Sequence, residues 1–342
     1  MNINYFVSWF NAAVTFGTVI LFGCLGEILN QKSGSLNLGV PGVMLLGAIG
    51  SLVGVFAYEN GNPDPNSFVC FILALAGCLV FSLLGGLIYA FLTISLRCNQ
   101  NVTGLTLTIF GNGMAKFVGG YLTNLAGGVG NVSLNTTTKF YRTRIPFLSD
   151  RLGIVSRLFF NYGFMVYVAV VIAIALHYFL NHTRTGLNLR SVGENPATAD
   201  AAGIDVEKYR YFACIVASMI TGLGGLYFIM DYVMGTWTTD GTIESLGWLA
   251  VALVIFVSWR PLRALFGALL FGLSYWVYLY IPAGITVRMA KLFNVNNVTH
   301  LQNIYRMIPY VITLLVLIID SKRHKSDRAP ASLGLNYFRE DR

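Results

Sequence analysis

Residues 67–96 read SFVCFILALAGCLVFSLLGGLIYAFLTISL, thirty consecutive positions without an Asp, Glu, Lys or Arg. A helix needs about 20 apolar residues to cross the hydrocarbon core of a bilayer, so this run is long enough. Similar apolar windows, bounded by polar residues or by Gly and Pro, recur along the chain. The windows lie at 5–29, 38–57, 67–96, 101–125, 160–180, 210–233, 245–258, 262–282 and 304–320. The sequence therefore predicts an all-α integral membrane protein with about nine transmembrane helices.

The composition supports the same class of protein. Of the 342 residues, 55% are hydrophobic and only 11% are charged. Soluble domains have about a quarter of their residues charged, so this chain has too little polar surface for a soluble globule. The five cysteines lie mostly in apolar windows and are expected to be reduced core residues. The net charge of +8 is spread over the loops, which favours a role in membrane orientation over nucleic-acid binding.

The orientation is predicted from the Lys and Arg residues of the connecting segments, which are enriched on the cytoplasmic side. With the C-terminal tail in the cytoplasm, fourteen of these residues fall on that side and seven on the other, five of them in the 126–160 loop. Either that loop is so long that the enrichment of Lys and Arg on the cytoplasmic side does not apply to it, or part of it is re-entrant. The chain is accordingly divided into a transmembrane domain, 1–320, and a cytoplasmic C-terminal tail, 321–342. No Lys or Arg precedes the first apolar run, so a cleavable signal peptide is not expected.

Two stretches, 33–42 and 99–113, interrupt the apolar pattern with Ser, Asn, Thr, Gly or Pro. Polar backbone at membrane depth is tolerated only where it is buried in protein or lines a watery cavity. Both stretches are therefore candidate linings of a solute pathway, although 33–42 could equally be an ordinary cytoplasmic loop. The candidate pathway or gate residues are Glu27, Asn37, Gly39, Phe110 and Asn112.

Four acidic residues lie within or near the ends of the predicted spans. Glu27 lies inside the first apolar window, where a carboxylate costs roughly 2.5–3.5 kcal/mol and is usually functional or paired. We expect Glu27 to cap backbone donors or to pair with a cation at a cytoplasmic gate; the alternative is that it reaches the headgroup region. Asp231, Asp240 and Glu244 cluster at the external ends of two spans and are expected to belong to a solvated loop.

The segment 184–210 is the long hydrophilic stretch between two spans on the predicted cytoplasmic side. Asn195 is a good N-cap, Pro196 suits the first helical position, and Gly203 suits the left-handed residue that ends a helix. A helix this short is not stable alone and needs a partner surface, although an ordinary surface helix fits the same spacing. Asp205 can cap the helix that follows. The predicted coupling helix, which would transmit movement from a partner, comprises Glu194, Asn195, Pro196, Ala197, Thr198, Ala199, Asp200, Ala201, Ala202 and Gly203.

One stretch, RSVGENPATADAAGI at 190–204, resembles the coupling-helix segment of ATP-binding cassette (ABC) importer permeases that handle branched-chain amino acids, simple sugars and nucleosides. Residues 26–42, 247–262 and 328–337 agree with the same family in the family's order. The last of these is similar to nucleoside-importer permeases in particular. The chain departs from the family at Pro41, where an acidic residue is common, and in the 126–160 loop, which matches no family stretch.

The resemblance implies a bundle like that of the vitamin B12 importer permease, dimerised around one central pathway. It further implies two ABC ATPase subunits, a second and different permease chain, an extracytoplasmic substrate-binding protein, and a multi-pass location in the lipid of the bacterial plasma membrane. The expected solute is a nucleoside or a similar small polar molecule, with simple sugars as the alternative. ATP and Mg would be bound by the partner ATPase, and this chain would hold no cofactor.

No enzyme is indicated by the sequence. There is no Gly-Lys dipeptide, hence no phosphate-binding Walker loop, and the four histidines are too dispersed for a metal site. A competing function is an ion-coupled secondary transporter, in which Glu27 would be a coupling site. Such a transporter has no need of a capped cytoplasmic helix at 195–203. A membrane enzyme or receptor would need a catalytic constellation that the sequence does not supply.

Overall fold

The computed structural model describes residues 3–126, 132–143, 153–237, 241–281 and 329–338, and the single positions 307, 308, 311, 314, 315 and 318. Within these ranges the regular elements are helices, joined by turns and loops, and one isolated β-bridge pairs Ser133 with Thr236. The helices are α1 (Ile3–Lys32), α2 (Val40–Gly61), α3 (Ser67–Ala90), α4 (Gln100–Leu125), α5 (Asn135–Tyr141), α6 (Gly153–Phe159), α7 (Phe164–His182), α8 (Arg184–Glu194), α9 (Pro196–Ala201), α10 (Val206–Tyr227), α11 (Thr242–Phe256) and α12 (Pro261–Tyr280). Helices α3 and α10 continue as π-helical turns, Phe91–Ser95 and Phe228–Tyr232.

Five of the described helices are long and apolar enough to cross a membrane: α1, α2, α3, α7 and α10. Helices α11 and α12 are apolar but shorter, and α4 is long but interrupted by polar residues. Eight of the sequence-predicted windows therefore coincide with helices. The ninth, 304–320, lies largely outside the described residues, so the predicted number of nine is not confirmed.

The spanning helices form an inner group and an outer group. In α1, α2 and α10 the most apolar stretch is 83%, 78% and 67% buried, whereas in α3 and α7 it is 28% and 33% buried. An apolar helix that hides so little of its surface inside the protein needs another apolar environment. We conclude that α1, α2 and α10 form the core, and that α3 and α7 present their apolar faces to lipid.

Helix α2 approaches its neighbours through glycines. A Cβ atom on Gly47 would lie 2.5 Å from the carbonyl oxygen of Gly222 in α10. A Cβ atom on Gly111 in α4 would lie 2.5 Å from the carbonyl oxygen of Gly42. Small residues allow this backbone-to-backbone approach, which is a main source of helix association in lipid. The glycines therefore allow α4 to pack against α2 at Gly42, and α10 to pack against α2 at Gly47.

The connecting segments divide between two ends of the bundle. Helices α1, α3 and α7 finish, and α2, α4, α10 and α12 begin, at one end, which also holds α8, α9 and residues 329–338. We call it the basic end, because Lys32, Arg97, Arg190 and Arg260 all lie there. It is the end that the sequence assigns to the cytoplasm.

The opposite end contains the described part of the 126–160 loop. Glu59, in the last turn of α2, accepts hydrogen bonds from the backbone nitrogens of Thr136 at 2.7 Å and Thr137 at 3.2 Å. The carboxylate thereby satisfies the otherwise free N–H groups at the start of α5. Short helices rather than irregular chain thus make up what is described of this loop.

The expectation of a solvated acidic cluster at that end is wrong for Asp231. The π-helical turn places its side chain inside the protein, where the residue is only 8% exposed, and Arg142 Nε lies 3.9 Å from its Oδ1. Glu244 is half-buried and accepts a hydrogen bond from Asn112. Asp240 lies outside the described residues.

Candidate functional site

The short helix predicted at 195–203 is present as α9. Asn195 Oδ1 accepts a hydrogen bond from the Thr198 backbone nitrogen at 3.0 Å, and Pro196 occupies the first position. Gly203 has φ +84°, a left-handed conformation that costs glycine nothing. A capping residue and a terminator therefore hold α9 at both ends.

Asp205 caps the next helix, α10, as the sequence predicts. Its Oδ1 accepts from the Lys208 backbone nitrogen at 3.1 Å, and Lys208 Nζ lies 2.9 Å from Oδ2. The hydrogen bond from Lys208 lowers the pKa of the exposed Asp205 carboxyl below its usual value, so the cap stays ionised to a lower pH than an isolated Asp does.

Helix α8, which directly precedes α9, was not predicted from the sequence. The Thr183 side chain caps it by accepting from the Gly186 backbone nitrogen at 3.0 Å. In α8, Leu189 and Val192 are buried, while most of the remaining residues face outward. The average composition of α8 is therefore polar and resembles that of a loop. The sequence signals that could have predicted α8 are Thr183, as an N-cap, and the three-residue spacing of Leu189 and Val192. The predicted isolated helix is therefore the second member of a helix pair.

Helix α9 has one inward and one outward face. Ala199 is 3% exposed and packs with Val192 of α8 and Val206 of α10. The outward face consists of small exposed residues, namely Ala197, Thr198, Ala201, Ala202 and Gly203. A groove of about 390 Å³ lies beside it, lined by Arg97, Asp200, Gly203, Ile204, Asp205, Val206, Glu207 and Tyr337. A partner protein can therefore approach the α9 backbone closely.

Glu27 is buried and anchors the segment that joins α1 to α2, residues 33–39, here called the gate loop. Its Oε1 accepts from Gln31 Nε2 at 2.9 Å and from the Asn37 backbone nitrogen at 3.1 Å. The Asn37 side chain in turn accepts from the Gly39 backbone nitrogen at 2.8 Å. Of the roles expected for Glu27, the geometry corresponds to the capping of a backbone donor. Its part in gating stays a prediction.

Two further helices, α3 and α4, hold the gate loop from other directions. Gln100 Oε1 accepts from the Leu36 backbone nitrogen at 2.7 Å, and the Tyr89 hydroxyl donates to the Leu36 carbonyl oxygen at 2.7 Å. The Thr108 hydroxyl donates to the Leu38 carbonyl oxygen at 3.1 Å. Polar backbone is thus satisfied inside the bundle, as a buried interruption requires. An ordinary exposed loop does not have this arrangement.

Residues 329–338, here called the tail segment, pack between the gate loop and the α8–α9 pair. The Ser332 backbone nitrogen donates to the Gly193 carbonyl oxygen at 3.1 Å, and its hydroxyl donates to the same oxygen at 2.6 Å. The Gly334 backbone nitrogen donates to the Gly34 carbonyl oxygen at 3.0 Å. One short peptide therefore ties the end of α8 to the gate loop.

The rest of the tail segment reaches α9 and the start of α4. The Tyr337 hydroxyl donates to Asp200 Oδ2 at 2.9 Å, and Asn336 Nδ2 donates to the Arg97 carbonyl oxygen at 2.6 Å. Arg210 Nη1 donates to the carbonyl oxygen of Leu335 at 3.2 Å. The sequence of this segment indicates a family resemblance but does not predict these contacts.

Two pathway candidates, Phe110 and Asn112, lie further along α4, beyond the part that touches the gate loop. Asn112 Nδ2 donates to Glu244 Oε2 of α11 at 2.6 Å, and Phe110 is 45% exposed. The exposed surface of α4 combines polar or charged residues, among them Asn101, Thr106, Lys116 and Asn124, with apolar ones such as Ile109 and Phe117. A charged residue such as Lys116 is costly against lipid, so the polar part of this surface fits a watery pathway or a second chain.

Removal of one hydroxyl tests the attachment of the tail segment to α9. In Tyr337→Phe the bond to Asp200 is lost, which is worth about 1 kcal/mol, or roughly fivefold in the opening equilibrium. We expect the amides of Ser332 and Gly334 to exchange with deuterium about fivefold faster, because the segment detaches more often. Hydrogen exchange with mass spectrometry measures this. Tyr178→Phe, which removes an exposed hydroxyl from α7, is the control; equal exchange in all three proteins would contradict the attachment.

Comparison with known proteins gives a family match over most of the chain. The family described as "Branched-chain amino acid transport system / permease component" matches residues 9–317. A putative glucose ABC transporter permease protein of Haloferax volcanii is 33% identical over 342 residues, 96% of this chain and 97% of that protein. A guanosine ABC transporter permease protein of Bacillus subtilis is 31% identical over 313 residues, 90% of this chain and 89% of that protein.

A third relative is a nucleoside ABC transporter permease protein of Lactococcus lactis subsp. cremoris. It is 29% identical over 331 residues, 95% of this chain and 94% of that protein. The family match over residues 9–317 includes the gate loop, α8 and α9, and each of the three relatives covers nine-tenths or more of the chain. No solved structure matches the chain significantly.

Proposed function

This chain belongs to the family of branched-chain amino acid transport system permease components, and on that premise we propose that it carries a nucleoside. The chain is the membrane-embedded permease subunit of an ABC importer. Importers of this kind work with ATPase subunits, which hydrolyse the ATP, and with a substrate-binding protein. The solute, the pairing of the chains and the roles of individual residues are the subject of the proposal.

The nucleoside assignment is supported by the face of α4. Phe110 and Tyr121 are exposed aromatic rings on that face, and aromatic rings stack on nucleobases. The bond to Glu244 uses the amide nitrogen of Asn112, so its amide oxygen can accept a hydrogen bond from a base or ribose. Two of the relatives above are named for nucleosides or guanosine. The relative named for glucose makes a simple sugar the second candidate.

The proposed transport mechanism rests on one observation, which is that α9 and the gate loop both contact the tail segment. We propose that an ATPase subunit receives the small outward face of α9 on the cytoplasmic side. Movement of α9 would then pass through Gly193 and Ser332 to Gly34, and so to the gate loop beside Glu27. Rigid links of this kind are required if work done on one subunit is to open a pathway in another.

The remaining parts of the proposal rest on the family resemblance. We infer a bundle like that of the vitamin B12 importer permease, in a bacterial plasma membrane, with a second and different permease chain across the pathway. The exposed polar face of α4 supports a partner there. The chain itself would bind neither ATP nor Mg and would catalyse no reaction.

Uptake into proteoliposomes tests the proposal. The permease would be reconstituted with its partner permease and ATPase, and uptake of labelled guanosine, uridine and glucose measured with a saturated binding protein. We expect nucleoside uptake that requires internal ATP and stops when the ATPase is omitted. Uptake that persists without the ATPase and follows an ion gradient would establish the secondary transporter instead. Preference for glucose would overturn the nucleoside assignment alone.

A further inference from the structure

The turn between α11 and α12, residues 257–260, ends helix α11 without a glycine. Ser258 and Trp259 have φ +53° and +55°, in the left-handed region that glycine usually supplies at the end of a helix. The Trp259 backbone nitrogen donates to the carbonyl oxygen of Val254 at 3.2 Å. A bulky residue keeps such a conformation only where its surroundings hold it there. A specific contact of the Trp259 side chain is therefore expected.

That contact is with Gln31, a buried residue in the last turn of α1. The Trp259 indole nitrogen Nε1 donates to Gln31 Oε1 at 2.5 Å. Gln31 Nε2 donates in turn to Glu27 Oε1 at 2.9 Å, and the same oxygen accepts from the Asn37 backbone nitrogen at 3.1 Å. Three hydrogen bonds therefore connect the α11–α12 turn to the gate loop through two side chains of α1.

The groups on either side of position 31 require an amide there. An indole nitrogen can only donate a hydrogen bond, whereas Glu27 Oε1 acts as an acceptor toward the gate loop. Gln31 serves both partners, because its oxygen faces Trp259 and its nitrogen faces Glu27. An ionised carboxylate at this position would place two acceptors together, and an apolar side chain would leave both partners without a bond. The identity of this residue is thus explained by the link.

Helix α11 contacts the chain on both sides of the gate loop. Before the gate loop, the α11–α12 turn reaches Gln31. After it, α11 lies against the first turn of α2, where a Cβ atom on Gly247 would lie 2.5 Å from the Cα atom of Pro41. Near its other end, α11 contacts the pathway candidate Asn112 of α4, which donates to Glu244 at 2.6 Å. A displacement of α11 would therefore act on the gate loop.

We propose that Gln31 is a positioning residue for transport, which makes the gate loop follow the position of helix α11. Trp259 holds Gln31 to the α11–α12 turn, and Gln31 holds Glu27 against the gate loop. Gln31 thus acts through Glu27 and not on the solute itself. This link is distinct from the contacts of the tail segment, so α9 and α11 reach the gate loop by different connections. It rests on the proposed function in one respect, namely that movement of the gate loop lets solute pass.

Hydrogen exchange with mass spectrometry tests the link without any solute. Trp259→Phe removes the indole donor and keeps an aromatic ring. We expect the Asn37 amide of the full chain to exchange with deuterium about fivefold faster, because the attachment of the gate loop is weakened. Trp9→Phe is the matched control, since Trp9 Nε1 donates to the Leu273 carbonyl oxygen at 3.0 Å and joins α1 to α12 elsewhere. Unchanged exchange in Trp259→Phe, or an equal increase in Trp9→Phe, would overturn the proposal.

Uptake and ATP hydrolysis in proteoliposomes test the consequence for transport. Gln31→Met keeps the length of the side chain but offers no donor and no strong acceptor. We expect uptake per ATP hydrolysed to fall about tenfold in Gln31→Met and about fivefold in Trp259→Phe. The double variant should fall no further than Gln31→Met, because both substitutions break one link.

The other outcomes of the transport assay contradict the link. Losses that multiply in the double variant would show that the two residues contribute separately. An equal loss of uptake and of ATP hydrolysis would assign both residues to stability alone, because unfolded copies perform neither. Failure of the proposed function would already appear in the unsubstituted protein, as absent or ATP-independent nucleoside uptake, whereas failure of the link appears only in the variants.

Discussion

The double substitution Asn195→Ala with Gly203→Val is expected to lower nucleoside uptake while the assembled importer continues to hydrolyse ATP. Loss of the cap costs about 1 kcal/mol, and a non-glycine residue in the left-handed conformation costs about 1–2 kcal/mol. A Cβ atom on Gly203 meets nothing within 4 Å, so the second cost is backbone strain and not a clash. Because α9 is too short to be stable alone, a total destabilisation of about 2–3 kcal/mol should reduce the population of folded α9 about thirtyfold or more. Uptake should fall by the same factor.

Uptake and phosphate release would be measured in the same proteoliposomes. Gly203→Asn is the control, since asparagine tolerates the left-handed conformation and should preserve uptake. Uptake at the normal rate in the double variant would refute a coupling role for α9. Labelling of a cysteine at Ala201 from the external side of intact cells would refute the orientation on which that role depends.

Two substitutions at Glu27 should have very different effects. Glu27→Ala leaves the Asn37 backbone nitrogen and Gln31 Nε2 inside the protein without their acceptor, at about 1–3 kcal/mol each. We expect uptake to fall at least about tenfold, because the gate loop loses its attachment to α1. Glu27→Gln keeps one side-chain oxygen in the position of Oε1, where the Gln31 and Asn37 donors bind, and loses only the long contact of 3.5 Å from Asn30 Nδ2 to Oε2. We therefore expect Glu27→Gln to retain most of the uptake.

Comparing Glu27→Gln with Glu27→Ala distinguishes a capping role of the buried carboxylate from a role in ion coupling. In an ion-coupled transporter Glu27 must change its charge, so Glu27→Gln would abolish transport as completely as Glu27→Ala. Glu59→Ala is the matched control for stability, since Glu59 also caps backbone nitrogens, but at the opposite end of the bundle. Thermal unfolding and uptake would be measured for all three variants. Equal loss of uptake in Glu27→Gln and Glu27→Ala would contradict the capping role.

The sequence was sufficient for the features that are encoded locally. An apolar window directly indicates a segment that is surrounded by lipid or protein and not by water, and eight of these windows coincide with described helices. The ends of α9 were also predictable, because a cap such as Asn195 acts on a residue only three positions away and Gly203 acts on its own conformation. These interactions depend on neighbours along the chain, which a single sequence displays.

Features that depend on distant contacts were not predictable. Nothing near Ser332 or Tyr337 indicates that they bind Gly193 and Asp200, because those partners lie in a different part of the chain. Asp231 was misplaced for the same reason. Its carboxylate suggests a solvated end of a span, and only the tertiary structure shows the π-helical turn that buries it near Arg142. The family resemblance identified the important stretches but not their contacts.

The tail segment also sets an order of events during biosynthesis. A ribosome produces residues 329–338 only after every element that they touch, so the gate loop, α4, α8, α9 and α10 must wait with their shared surface incomplete. A nascent chain that stops before residue 329 would lack the peptide that joins Gly34 to Gly193. Chaperones and membrane proteases could distinguish finished from unfinished copies by this late closure.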